Sequence, residues 1–155
     1  MIQRIQTLYL ALATALSAFL LQGPIVRLVT DSGASYELNY RGIFSVDDGL
    51  LTGVIEKSVT LTVLLITVPL LFLAAIFLFK RRKLQIRLTV FATLLLIGAF
   101  LLMLFYIFYT GSKIEAEMIF NVKLVLPVAG AVFGYLAFRN ILKDELLIKS
   151  YDRIR

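Results

Sequence analysis

Few residues in this sequence could carry chemistry, and their types restrict what that chemistry would be. The chain contains no Cys and no His, which excludes disulfides, thiolate-bound metals, haem ligation by His and the usual general base. A catalytic site needs a nucleophile or metal ligand with a base beside it, and the apolar segments hold only scattered Thr, Ser and Tyr hydroxyls. The sequence therefore predicts a non-catalytic protein with no cofactor and no metal.

One ionisable residue, Lys123, lies a few positions inside an apolar segment and is the candidate polar site. A charged side chain within a membrane is a functional candidate by default. The alternative is that Lys123 lies only about one helical turn deep and reaches the outer surface, or pairs with Glu56, Glu115 or Glu117. We favour this second interpretation because the position is so close to the end of the segment.

The elements that must hold these residues are four apolar segments. The 155 residues are 60% hydrophobic and 17% charged, whereas soluble domains carry about 25% charge. At about 1.5 Å per residue, each segment is long enough to cross a hydrocarbon core of about 30 Å, the first and last only just. We predict one all-α membrane domain, an antiparallel bundle of four transmembrane helices at residues 5–21, 58–79, 88–109 and 121–138.

A polar stretch at residues 23–56 separates the first two segments. In it, Tyr36 and Tyr40 alternate with polar residues, which is typical of a half-buried strand, so we predict a small extracytoplasmic β-element resting on the helix ends. We choose Tyr36, Tyr40 and Arg41 as the candidate surface for a protein partner. The layout is similar to that of claudin-like proteins, although the Trp residues and Cys pair of the claudin signature are absent, so only architecture is shared.

The basic residues predict the orientation of the chain. The net charge is +6, but these residues flank apolar segments, which indicates membrane topology and not nucleic-acid binding. Both termini, the tail at residues 139–155 and the loop between segments two and three are therefore predicted to be cytoplasmic, in a multi-pass protein of the bacterial inner (plasma) membrane. That side holds most of the Lys and Arg: Arg4, Lys80, Arg81, Arg82, Lys83, Arg87, Arg139, Lys143, Lys149, Arg153 and Arg155.

Small residues form two stripes at helical spacing. Gly130 and Gly134 make a Gly-x-x-x-Gly pair in segment four, and Ala11 and Ala15 make a comparable stripe in segment one. Small residues let helix backbones approach closely, so we predict that segments one and four pack together, within one chain or between copies in a homo-oligomer. Chance is an equally weighted alternative, because Gly and Ala are common in such helices.

The basic run Lys80, Arg81, Arg82 and Lys83 follows segment two. Such a run can contact the anionic headgroups of membrane lipids. It can also act only as a topology signal, which is the interpretation we favour, and the two roles are compatible.

Both ends of the chain carry recognisable motifs. The segments 1–10 (MIQRIQTLYL), 143–145 (KDE) and 150–155 (SYDRIR) resemble those of the domain-of-unknown-function 4293 family. The resemblance extends over the whole chain and implies a small four-helix inner-membrane protein of the Bacteroidota. It implies no activity.

The leading hypothesis is a non-catalytic accessory or structural subunit of a larger inner-membrane complex. It rests on the small-residue stripes, the structured outer loop and the lack of chemistry. The alternative is a small transporter or lipid-binding membrane protein, which would need a polar cavity between the helices.

Overall fold

The computed structural model describes residues 2–30, 33–47, 50–114, 116–119 and 121–152. Within these ranges lie the four predicted helices, α1 (Ile2–Phe19), α2 (Val59–Phe77), α3 (Arg82–Ile114) and α4 (Leu126–Asp152). A 3-10 turn at Leu78–Lys80 joins α2 to α3, and a second at Val122–Val125 precedes α4.

The helix ends differ from the prediction. α3 is longer than the apolar segment 88–109 and α4 extends to Asp152, because the backbone hydrogen bonds continue through charged flanks rich in good helix formers such as Arg, Lys and Gln. The start of α4 lies later than the predicted residue 121. Pro127 is its second residue, a position in the first helical turn where the missing N–H removes no intrahelical bond.

The polar stretch folds into four strands of an antiparallel sheet. They are β1 (Val26–Thr30), β2 (Ser35–Asn39), β3 (Gly42–Asp47) and β4 (Leu50–Lys57). A fifth strand, β5 (Ala116–Ile119), comes from the connection between α3 and α4, and the order across the sheet is β4-β3-β2-β1-β5. The small β-element is therefore confirmed but is larger than predicted, because β5 joins it from a distant part of the chain.

Two local interactions join the sheet to α2. Gly42 has a φ of +133°, and a Cβ at this position would lie 2.1 Å from the backbone oxygen of Glu56, so the β2–β3 turn requires glycine. Ser58 is the N-cap of α2, where its hydroxyl accepts a hydrogen bond of 3.2 Å from the N–H of Leu61. The N–H of Ser58 in turn donates to the carbonyl of Arg41 at 3.0 Å, so the helix start is anchored to the hairpin.

The inner face of the sheet packs on the helix ends. Cross-strand partners place Val26 opposite Leu38 and Leu38 opposite Ile43, and opposed residues project from the same face. All three are fully buried and belong to one core cluster with Leu20 and Leu61 at the adjoining helix ends.

The helices form a bundle in which α1 and α4 are antiparallel neighbours. Near one end the side chain of Gln6 donates to the carbonyl of Asn140 at 3.2 Å, and further along the pair the rings of Tyr9 and Phe133 stack with centroids 6.2 Å apart. The centre is filled by apolar side chains of which at most 1% is exposed: Leu10, Ala13, Leu65, Val68, Phe72, Ala92, Leu96, Ala99 and Ala137.

The outer surface of the bundle is apolar as well. Leu70, Leu101 and Phe105 each expose more than half of their surface, which is favourable when lipid surrounds the helices. Among the described residues, three segments are long and apolar enough to cross a membrane: Val59–Lys80, Arg82–Lys113 and Val122–Leu147. The apolar part of α1, Ile5–Phe19, is shorter. The chain is thus built as a membrane protein.

Candidate functional site

The two glycines of segment four lie inside the bundle. A Cβ on Gly130 would lie 2.9 Å from Cδ2 of Leu96, and a Cβ on Gly134 would lie 2.4 Å from Oγ1 of Thr93 and 3.2 Å from Cζ of Phe72. Both glycines therefore allow α4 to approach α3 closely, and at Gly134 the ring of Phe72 from α2 also reaches α4. They serve packing within the chain and leave no free small-residue surface at these positions.

The alanine stripe of α1 does not face α4. Ala11 and Ala15 are exposed, whereas Ala13 and Ser17 are buried. The expectation that the alanines mediate packing within the chain is therefore corrected. Ser17 can face the core because its hydroxyl donates to the carbonyl of Ala13 at 2.8 Å, which satisfies the polar group without a partner from another helix. A contact of the alanines with another chain stays a prediction.

The residues expected to form an exposed partner surface are mostly turned toward the core. Tyr36 lies opposite Leu28 on the inner face of the sheet, and both Tyr36 and Tyr40 are half-buried against the core cluster. Only Arg41 is exposed, with its guanidinium carbon 5.1 Å from the centroid of the Tyr40 ring. The alternation in β2 correctly predicts a half-buried strand, but alternation alone does not show which face of the strand is buried.

The opposite side of the sheet carries a row of side chains that crosses all five strands. Cross-strand pairs place Ile119 opposite Arg27, Arg27 opposite Glu37, Glu37 opposite Phe44 and Phe44 opposite Val54. We call this row the outer face, and it is defined by Ile119, Arg27, Glu37, Phe44 and Val54.

The outer face has an ion pair at its centre and apolar edges. Nε of Arg27 lies 2.8 Å from Oε1 of Glu37, with 62% of the Arg27 side chain and 12% of the Glu37 side chain exposed. Val54 exposes 49% and Ile119 55% of their surface, and Phe44 is half-buried. An antiparallel sheet with one face on the core usually has a polar second face. On this sheet, exposed apolar side chains instead flank the ion pair on the second face.

Lys123 lies at the end of the bundle that carries the sheet. Its Nζ donates a hydrogen bond to the carbonyl of Gln22, just beyond the last residue of α1, and lies 5.4 Å from the centroid of the Phe19 ring. Lys123 lies in the 3-10 turn before α4, so this hydrogen bond joins that turn to the segment that follows α1. This geometry gives Lys123 a structural role between α1 and α4, and the interpretation that its side chain reaches the membrane surface stays a prediction.

The basic run lies at the other end of the bundle, between α2 and α3. Lys80, Arg81 and Lys83 are exposed, and Arg82 is half-buried. Beside it, the buried side chain of Gln85 donates to the carbonyl of Ala75 at 3.0 Å. The described residues contain no cluster of three or more Asp or Glu that could hold a metal ion.

These elements define the class of the protein: a helical membrane protein with a four-helix bundle, three membrane-span segments within the described ranges and a small antiparallel sheet. The chain belongs to the family described as "Domain of unknown function (DUF4293)", whose sequence pattern matches residues 2–154. The family expected from the motifs at the two ends of the chain is thus confirmed. No curated protein matches the sequence.

Proposed function

We propose that this protein is a non-catalytic subunit of a larger complex in the bacterial inner membrane. In this proposal it crosses the bilayer four times, in a claudin-like layout, and its outer face binds an extracytoplasmic segment of another membrane protein.

The topology is supported by charge and by helix contacts. The antiparallel contact of α1 with α4 brings the start of α1 and the end of α4 to the same end of the bundle as the basic run. Basic residues are retained on the cytoplasmic side, so both chain ends are cytoplasmic and the sheet is outside. The 18 residues of α1 extend about 27 Å at 1.5 Å per residue, close to the hydrocarbon thickness of about 30 Å.

The single observation that carries the partner-binding function is the outer face. Burial of apolar surface contributes roughly 25 cal/mol per Å², so Phe44, Val54 and Ile119 are the residues on this face that would gain most from being covered. The Arg27–Glu37 pair supplies donors and acceptors at the centre, which would fix the orientation of the partner more than it would add affinity. We therefore expect the partner surface to be apolar with a polar group at its centre.

Site-specific photocrosslinking in native membranes tests this proposal. A photoreactive amino acid at Phe44 or Val54 should yield one discrete adduct heavier than the chain, and the same residue at Ser112, which is exposed but lies outside the outer face, should not. The adduct should be lost when Ile119→Lys is introduced, because a desolvated charge opposes docking. An adduct of twice the chain mass would identify a homo-oligomer. Labelling at all three positions alike, or at none, would contradict the proposal.

The transporter alternative is opposed by the centre of the bundle. A transport path needs polar groups or a cavity near the middle of the membrane, whereas Leu65, Phe72, Leu96 and Ala99 close that region with at most 1% exposure.

A further inference from the structure

A groove of about 620 Å³ opens on the surface of the bundle at its basic end, between α1, the end of α2 and the start of α3. Its volume lies within the range of roughly 300–1,000 Å³ that is typical of ligand sites. The groove is distinct from the outer face, which lies on the sheet at the other end of the molecule.

One part of the groove is apolar. Leu8 and Ala11 of α1 face Ile76 and Phe77 of α2 across it. Ala11 is exposed and small, so it leaves room where a larger side chain would fill the groove. This explains why an alanine is compatible with a position that does not pack within the chain. The dimensions and apolar surface of this part of the groove suit an acyl chain.

The other part of the groove is polar and carries a positive charge. Arg82 lines it beside Gln6 and Gln85. The amide nitrogen of Gln6 donates to the carbonyl of Asn140 and to the carboxylate of Asp144, and that of Gln85 donates to the carbonyl of Ala75. These amides are therefore engaged inside the protein, which leaves the Arg82 guanidinium as the group that would bind an anion.

The charge of Arg82 is not neutralised within the described part of the chain. No carboxylate among the described side chains forms an ion pair with it, and it is half-buried between exposed Arg81 and Lys83. A guanidinium binds phosphate through paired N–H donors. The neighbouring cations add a long-range attraction for anionic headgroups.

We infer that this groove binds one membrane phospholipid with an anionic headgroup, its phosphate on Arg82 and the upper part of an acyl chain between Leu8, Ala11 and Phe77. The charge complementarity of Arg82 and the position of the groove, at the junction of apolar helices and a basic turn, select this occupant. The inference requires only that the chain lies in a membrane. It does not depend on the partner-binding function.

Native mass spectrometry of the purified full-length protein tests the inference with two probes, phosphatidylglycerol and phosphatidylcholine. The wild type should bind phosphatidylglycerol more tightly, and Arg82→Gln should weaken that binding roughly tenfold, the usual effect of removing a charge-assisted hydrogen bond. Lys83→Gln, a change of equal charge at an exposed neighbour, should have a much smaller effect. Equal losses in the two variants would show diffuse attraction to the basic run and would overturn the site.

A second pair of variants tests the apolar part. Ala11→Phe should fill the groove and displace both lipids, whereas Ala15→Phe, one turn along the same exposed side of α1 but outside the groove, should leave binding unchanged. Wild-type protein labelled with a photoreactive phosphatidylglycerol provides a measurement that needs no variant. Labelling should concentrate near Leu8 and Phe77. Labelling spread evenly over the helices, or labelling that avoids the groove, would refute the lipid site.

Discussion

The fit of α4 against its neighbours can be tested by adding a single methyl group. Gly134→Ala places a Cβ 2.4 Å from Oγ1 of Thr93 and 3.2 Å from Cζ of Phe72, whereas a Cβ at Gly98, on the exposed side of α3, meets no atom within 4 Å. Both substitutions gain helix propensity, which favours Ala by about 0.8–1 kcal/mol. The two positions therefore differ mainly in the packing of the added methyl group.

The expected magnitudes follow from these distances. Overpacking of a filled core costs roughly 1–3 kcal/mol, and rotation of Thr93 to relieve the contact would break its 2.8 Å hydrogen bond to the carbonyl of Thr89, a loss of about 1 kcal/mol. These costs exceed the gain in propensity. We expect Gly134→Ala to lower the free energy of unfolding by about 1–2 kcal/mol, and Gly98→Ala to raise it by up to about 1 kcal/mol.

Unfolding in mixed micelles with a rising fraction of sodium dodecyl sulfate, followed by circular dichroism, measures both changes. In a Thr93→Ala background the penalty of Gly134→Ala should shrink by about 1 kcal/mol, because the two residues are in contact and their effects couple. If Gly134→Ala proves as stable as Gly98→Ala, the close approach of α4 to α3 at this glycine is refuted.

Three further predictions concern the sheet, a helix cap and the topology. Gly42→Ala should abolish the β2–β3 turn, since the added Cβ meets the backbone oxygen of Glu56 at 2.1 Å. Limited proteolysis should then cleave the sheet of the variant faster than that of the wild type, and equal protection of the two sheets would contradict the prediction. Ser58→Ala should lower the free energy of unfolding by about 0.5–2 kcal/mol and Ser58→Gly by a few tenths, measured in the same micelle titration; equal effects would argue against the cap. Because the chain has no Cys, single-cysteine variants report topology directly: in spheroplasts, a membrane-impermeant maleimide should label Ala34→Cys and should reach Lys83→Cys only after permeabilisation. The reverse pattern would invert the proposed orientation.

The helices could be predicted from sequence because their signal is local. Runs of apolar residues longer than a soluble core can bury specify membrane helices whatever their neighbours. The ends were less accurate because the apolar signal stops at residue 109 while the helical hydrogen bonds of α3 continue to Ile114. The effect of a proline also depends on where a helix begins: Pro127 is the second residue of α4 and removes no intrahelical hydrogen bond there.

The sites were harder to predict because they depend on contacts between distant residues. Residues 116–119 carry no period-two signal strong enough to mark a strand, and β5 is defined only by its pairing with β1. The outer face likewise assembles residues from five strands. The sequence marks the basic run as a whole. Only the fold distinguishes Arg82, which lines the groove, from its exposed neighbours.

The pairing of β1 with β5 has a consequence for how the chain is made. Thr30 lies opposite Ala116, so one edge of β1 stays unpaired until α3 and β5 have been synthesised. At ribosomal rates of roughly 5–20 residues per second, that delay is on the order of 4–17 s. During this interval the nascent protein exposes an unpaired strand edge. Such an edge can bind an assembly factor or pair wrongly with another strand.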